Sequence, residues 1–238
     1  MNFFRLSFVF LLLNNSFVFS QRGALGAIPD EVIDTIEHPT KQFPKLRSNL
    51  PKSHDLSFLL PKILSQGQLG SCTSWASAYY AFTIVKRIEN KNPSFKPFCP
   101  ITLHSMLKFY YKQKCSKYNN YCRLVPCKKG SHISFAGDLL KKYGVNQLKS
   151  SENLFQCKKV YSLKRYKNRL YKWERLSIRV SSLKRALYEN SPIVFQMDTH
   201  YSPCWSDGKF RNGLWNGKTG SKDGGGHAMV IVGYNDNK

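Results

Sequence analysis

Acidic residues are scarce in this chain of 238 residues: 14 Asp and Glu stand against 37 Lys and Arg, a formal net charge of +23. Such a surplus bears on solubility and on anionic partners and leaves the fold open. Long apolar runs are missing too. None reaches the roughly 18 residues that a spanning helix needs, which excludes a multi-span membrane protein. There is no internal repeat. Low-complexity disorder as the main state is excluded as well, because hydrophobic residues make up 42% of the chain, near the globular average. At about 150 residues per domain, the length suits one large domain or two small lobes.

The first residues have a separate task. Met1 to Arg5 is short and basic, Leu6 to Leu13 is apolar apart from Ser7, and Asn14-Asn15-Ser16 breaks the run. Val18 and Ser20 stand three and one residues before a cut ahead of Gln21. Residues 1–20 therefore read as a secretory signal, and the protein is expected to be exported, extracellular or periplasmic. The alternative, an uncleaved membrane anchor, is disfavoured by the short, broken run. Residues 21–49, with Pro29, Pro39 and Pro44, read as a short leader or pro-segment, and 50–238 as the main domain.

Export changes how the cysteines read. Cys72, Cys99, Cys115, Cys122, Cys127, Cys157 and Cys204 all follow the signal. In an oxidising compartment six can pair, and the odd one invites a functional explanation. Cys115, Cys122, Cys127 and His132 are irregularly spaced for a zinc site, and export favours disulfides over zinc, so no metal is expected.

Residues 72–90 are predicted to be helical, with Trp75, Ala78, Tyr79, Phe82, Val85 and Ile88 forming an apolar stripe that Asn92-Pro93 ends. Residues 134–143 are predicted as a second helix closed by Gly144, and 181–190 as a third. Ile193-Val194-Phe195 and Met229-Val230-Ile231-Val232 read as buried strands. Helices dominate early and strands late, which suggests an α+β protein with a helical lobe and a sheet lobe.

Two stretches carry chemistry. In Gln66-Gly67-Gln68-Leu69-Gly70-Ser71-Cys72 a glycine-rich loop delivers a cysteine to the first turn of a helix. Backbone N–H groups and the positive end of the helix dipole favour thiolate over thiol there. The Gln66 side chain and the Cys72 N–H would supply two donors for an oxyanion. In Gly224-Gly225-Gly226-His227-Ala228, a histidine opens an apolar strand after a flexible run. His227 stands 155 residues after Cys72, so only the fold can bring them together.

These blocks, with Pro51-x-x-x-Asp55, Gly130-Ser131, Tyr143-Gly144-Val145 and Ser191-Pro192-Ile193-Val194, make the chain resemble the papain family of cysteine peptidases over residues 50–238, and exported, bacterial-type members most. The resemblance implies a two-lobe α+β fold, with an N-terminal helical lobe and a C-terminal antiparallel, barrel-like β lobe, incomplete at its C-terminus. It implies Cys72 as nucleophile, His227 as its base and Gln66 as oxyanion donor. Gly130 and Ser131 would bind the substrate backbone, and Gln196 and Ala228 would shape the neighbouring pocket. It also implies Cys127 paired with Cys157, a polypeptide substrate, an endopeptidase activity, a monomer, and neither metal nor organic cofactor. Three departures stand out. The family's Asn-Ser-Trp-Gly block is not found before Lys238, so a fragment is expected, and neither Asn235 nor Asn237 is assigned its role. Leu69 replaces a cysteine, and Thr73 replaces the tryptophan after the nucleophile.

A rival reading comes from residues 141–185, which hold 14 Lys and Arg against Glu152 and Glu174. Tyr161, Tyr166, Tyr171 and Trp173 are interleaved among them. Basic residues with aromatics can track an anionic polymer such as single-stranded nucleic acid. The alternatives are thus an exported basic binding module, or a peptidase-fold homologue without activity.

Overall fold

The computed structural model describes residues 27–28, 40–41, 50–115, 130–150, 153–154, 162–199 and 225–237. Its axis is one helical rod, α1, which is α-helical over Cys72–Ser74, π-helical over Trp75–Phe82 and α-helical again over Thr83–Glu89. The stretch foreseen as a regular helix is therefore helical throughout but wider in its middle. Every residue of the π segment except Tyr80 is buried. Ala76, Ser77, Ala78 and Ala81 are small enough to let neighbours approach on several sides, and single π turns inside α-helices often lie at functional sites. At the far end Arg87 holds the rod in place, donating from Nη1 to Leu59 O (2.9 Å) and from Nε to Phe95 O (3.1 Å).

Two more helices pack on α1. Helix α2, Pro100–Cys115, begins with proline at the first helical position, where a missing N–H costs nothing. Sequence periodicity did not reveal it, because Ile101 to Lys108 are all buried and no polar stripe marks a solvent face. Helix α3, Ile133–Lys142, matches the expected second helix. Gly144 ends it at φ +70°, its N–H reaching Leu139 O and Leu140 O. The helical core gathers Ala78, Phe82, Leu103, Leu107, Tyr111 and Leu139 among others, with the Phe82 and Phe98 rings stacked at 4.3 Å.

The strands follow a second core of Leu56, Leu59, Ile84, Ala186, Leu187 and Ile193. Strand β1 (Thr40–Lys41) runs parallel to β3 (Arg175–Leu176), and β2 (Ser53–Asp55) antiparallel to β6 (Gly233–Asn235). The central pair is antiparallel: β4 (Ile193–Thr199) against β5 (Gly225–Ile231), in a register that sets Gln196 opposite Ala228 and Met197 opposite His227. Helix α4, Val180–Tyr188, lies beside them and matches the expected third helix. Among the described residues these strands form three two-stranded pairs and no closed barrel. The architecture is the α+β arrangement foreseen, with the longer strands after the main helices, although β1 and β2 precede the first of them. No helix among the described residues is long and apolar enough to cross a membrane.

Among the described residues the basic run does not present its aromatics together. Trp173 packs over Gly137, where an added Cβ would stand 2.7 Å from the indole, and donates from Nε1 to Asp138 Oδ1 (3.0 Å). Tyr166 packs on the helical core, and Tyr171 is exposed. Tyr161 lies outside the described residues.

Candidate active site

The loop before α1 is built by glycine where the backbone demands it. Gly67 sits at φ +63°, a conformation that side chains disfavour. Gln66 folds over this loop and donates from Nε2 to Leu69 O (3.1 Å). Ser71 then starts the helix, its carbonyl accepting the N–H groups of Ser74 (2.9 Å) and Trp75 (3.0 Å). Cys72 is thereby the first helical residue, and it is buried.

Tertiary structure closes the 155-residue gap. The first turn of α1 packs against β5. Cys72, Ala76 and Ala228 share one buried cluster, with Val194, Val230 and Ile133 around it. His227 precedes Ala228 on that strand and is half-buried; burial pushes its pKa down from the usual imidazole value. Gln196 stands opposite Ala228 in the register, and its Nε2 lies close to Gly226.

A second wall comes from the helical lobe. Gly130 and Ser131 are buried just before α3. Thr73 Oγ1 donates to Ser131 O (2.9 Å), Lys108 Nζ donates to Gly130 O (3.0 Å), and the His132 N–H donates to Tyr111 Oη (2.8 Å). Three side chains from α1 and α2 thus hold three consecutive residues of this wall. Thr73, which the sequence marked only as a departure from the family pattern, has a clear task here. Lys108 had no sequence signal, because a lysine inside an unrecognised helix looks like any surface lysine.

Between the walls lie Ala27 and Ile28. The Ala27 N–H donates to Gly226 O (2.8 Å) and the Ile28 N–H to Ser131 O (3.1 Å), and Ala27 is buried in the same cluster as Cys72 and Ala228. Gly226 makes this approach feasible: a Cβ there would stand 2.0 Å from Ala27 O. Ser131, Gly226, Ala228 and Cys72, three of them named from sequence alone, therefore surround one extended dipeptide.

The expectation that every cysteine but one is paired needs correction. Cys99 is a free thiol, fully buried with Leu69 and Ile101 in a small apolar cluster. Its site offers an apolar thiol packing partners rather than a second sulfur. Cys122, Cys127, Cys157 and Cys204 lie outside the described residues, as does residues 1–20. His132 is buried against Tyr111 and Phe135. Asn235 lies in β6, and its Oδ1 accepts the Asn237 N–H (2.9 Å), closing the turn that follows the strand.

Comparison with known proteins places this geometry. No protein-family model matches the chain. An uncharacterized peptidase C1-like protein of Acanthamoeba polyphaga mimivirus is 30% identical over 242 residues, covering 90% of this chain and 73% of that protein. Among solved structures, xylellain, a cysteine protease from Xylella fastidiosa, aligns with a TM-score of 0.60 at 21% identity, over 95% of this chain and 84% of the other. A procathepsin B from Trypanosoma congolense aligns with a TM-score of 0.55 at 19% identity, over 92% and 74% of the two chains. The fold is that of the papain-like cysteine peptidases. The chain belongs to the C1-type peptidase family.

Proposed function

We propose that this protein is an exported cysteine endopeptidase in which Cys72 is the nucleophile, His227 its base and Gln66 an oxyanion donor. The observation that carries the reading is the seat of Ala27–Ile28. An extended peptide lies against the Cys72 cluster, its N–H groups taken by Gly226 O and Ser131 O. Backbone pairing of this kind recognises any polypeptide, and side-chain pockets then discriminate.

In the proposed reaction Cys72 Sγ attacks the scissile carbonyl carbon, and the carbonyl electron pair moves onto oxygen. The Cys72 N–H and Gln66 Nε2 stabilise that oxyanion; the bond to Leu69 O fixes the amide head over the loop. Collapse breaks the C–N bond as His227 gives its proton to the leaving amine. Water, deprotonated by His227, then cleaves the thioester, releasing a carboxylic acid and restoring the thiol. Gly130, Ser131, Gln196 and Ala228 line the substrate's path.

In this reading residues 21–49 are a pro-segment, since Ala27–Ile28 occupies the seat that substrate would need. Residues 1–20 would be removed on export, and an intact mass of secreted protein that still includes them would overturn that point. The central test is hydrolysis of a fluorogenic peptide by the wild-type chain and by Cys72→Ser. Activity is expected to fall by at least about three orders of magnitude, in line with loss of an activated nucleophile. Equal hydrolysis by both would assign the activity to some other site.

A further inference from the structure

A lysine is an unusual residue to find in the wall of this cleft. Lys108 is 9% exposed, and an isolated buried ammonium is costly. Its surroundings compensate in three ways. Nζ donates to Gly130 O (3.0 Å) and stands 5.9 Å from the Tyr111 ring centroid, and the helix that carries it, α2, packs on the first turn of α1, where Cys72 lies. Burial pushes the Lys108 pKa down to about 8, and negative charge on Cys72 pushes it back up.

Coulomb coupling is reciprocal: a thiolate that favours the ammonium is favoured by it to the same degree. Cys72 is 1% exposed, and a thiolate buried so deeply needs a cation nearby. His227 is poorly suited to supply that charge alone, because burial disfavours its imidazolium form. The titratable groups on the elements packed here are His104 and Tyr111 on α2, His132, whose ring packs on Tyr111, and His227 on β5, the strand packed against the first turn of α1.

We propose that Lys108 is a positioning residue of this site, a buried cation that fixes the Gly130–Ser131 wall through the Gly130 carbonyl and holds Cys72 as a thiolate. The proposal rests on the reading of Cys72 as nucleophile. It adds a source of positive charge on the helical side of the cleft, opposite the strand that carries His227.

The test is the pH profile of Cys72 alkylation by iodoacetamide in the full chain, read by peptide mass spectrometry. Buried Cys99 in the same digest is the internal control. Wild type is expected to react well below the free-thiol value of about 8.5. Lys108→Met should move the midpoint upward by about one pH unit, a tenfold loss of thiolate at neutral pH, and Lys108→Arg should restore it. A merely structural lysine would lower the melting temperature of both variants and leave the midpoint in place.

His227→Ala gives a second arm that needs no change at Lys108. Its midpoint should stay below that of a free thiol, because Lys108 remains. A His227→Ala profile at about 8.5, or a Lys108→Met profile superimposed on wild type, overturns the role of Lys108 and leaves Cys72 as nucleophile. A wild-type Cys72 that reacts only near the free-thiol value overturns the underlying reading instead.

Discussion

Thr73 shows how one side chain can tie two parts of a cleft together. Its hydroxyl comes from the first turn of α1 and ends on Ser131 O, the same carbonyl that accepts the Ile28 N–H. Thr73→Val keeps the shape and removes the donor. We expect a stability loss of about 1 kcal/mol, the usual net value of a neutral hydrogen bond, together with a several-fold rise in KM and little change in kcat. Chemical denaturation and steady-state kinetics check both. A fall in kcat with KM unchanged would contradict this placement of Ser131.

Lys108 makes a second statement at the residue scale. Burial brings its folded pKa down to about 8, below the ordinary lysine value of 10.5. Between those values the unfolded chain holds a proton that the folded chain has released. Stability from this group therefore rises with pH across that window, and below it the buried charge weighs against folding. Urea midpoints from pH 7.5 to pH 10 should rise less steeply in Lys108→Met than in wild type. Parallel slopes would show that Lys108 is not buried as described.

At the scale of elements, β5 carries the site. Its first residues serve the cleft and its later ones the sheet: Gly226 presents a carbonyl to Ala27, His227 follows it half-buried, Ala228 packs on Cys72, and Ile231 joins the second core. The glycine is required by contact with a backbone oxygen rather than by φ. In Gly226→Ala the new Cβ would meet Ala27 O at 2.0 Å, a clash relieved only if the docked peptide moves away. Leader docking and substrate binding should weaken together. A KM raised by roughly tenfold or more corresponds to about 1.4 kcal/mol of lost binding. Unchanged KM would mean that substrate does not pass where Ala27 lies.

The same scale explains which elements were legible in advance. Helices α3 and α4 each have one buried and one solvated face, so spacing exposed them. Gly144 marked the end of α3 because a left-handed residue is needed there. Helix α2 was hidden because it is buried nearly all round, and the π segment of α1 because an extra residue per turn blurs a 3.6 spacing without erasing it. Strand β5 was read from His227, two residues late, since Gly225 and Gly226 look like loop and pair as strand only against β4.

For the whole molecule, residues 21–49 are the segment whose removal should matter most. Residues 27 and 28 bridge the two walls of the cleft, Gly226 from the strand side and Ser131 from the helical side. Deleting residues 21–49 should raise peptide hydrolysis at a fixed enzyme concentration. Adding the segment back as a free peptide should inhibit competitively, since Ala27–Ile28 takes the Gly226 and Ser131 carbonyls and Thr40–Lys41 pairs with β3. Hydrolysis that is unaffected by the deletion would show that the contact leaves freely in solution.

The catalytic candidates were visible in the sequence because each is defined by local chemistry. A thiol at a helix start after a glycine loop, and a histidine opening an apolar strand, can be read without knowing where either lies in space. Fold class was visible for the same reason, since the order of helical and strand-like stretches is a one-dimensional property. Only the tertiary structure could decide what lies between them. The Ala27–Ile28 seat, the Thr73 and Lys108 bonds to the Ser131 and Gly130 carbonyls, and the burial of Cys99 each depend on residues distant in sequence. Backbone carbonyls, which every residue carries, are the acceptors in most of those contacts, so no side-chain pattern could have announced them.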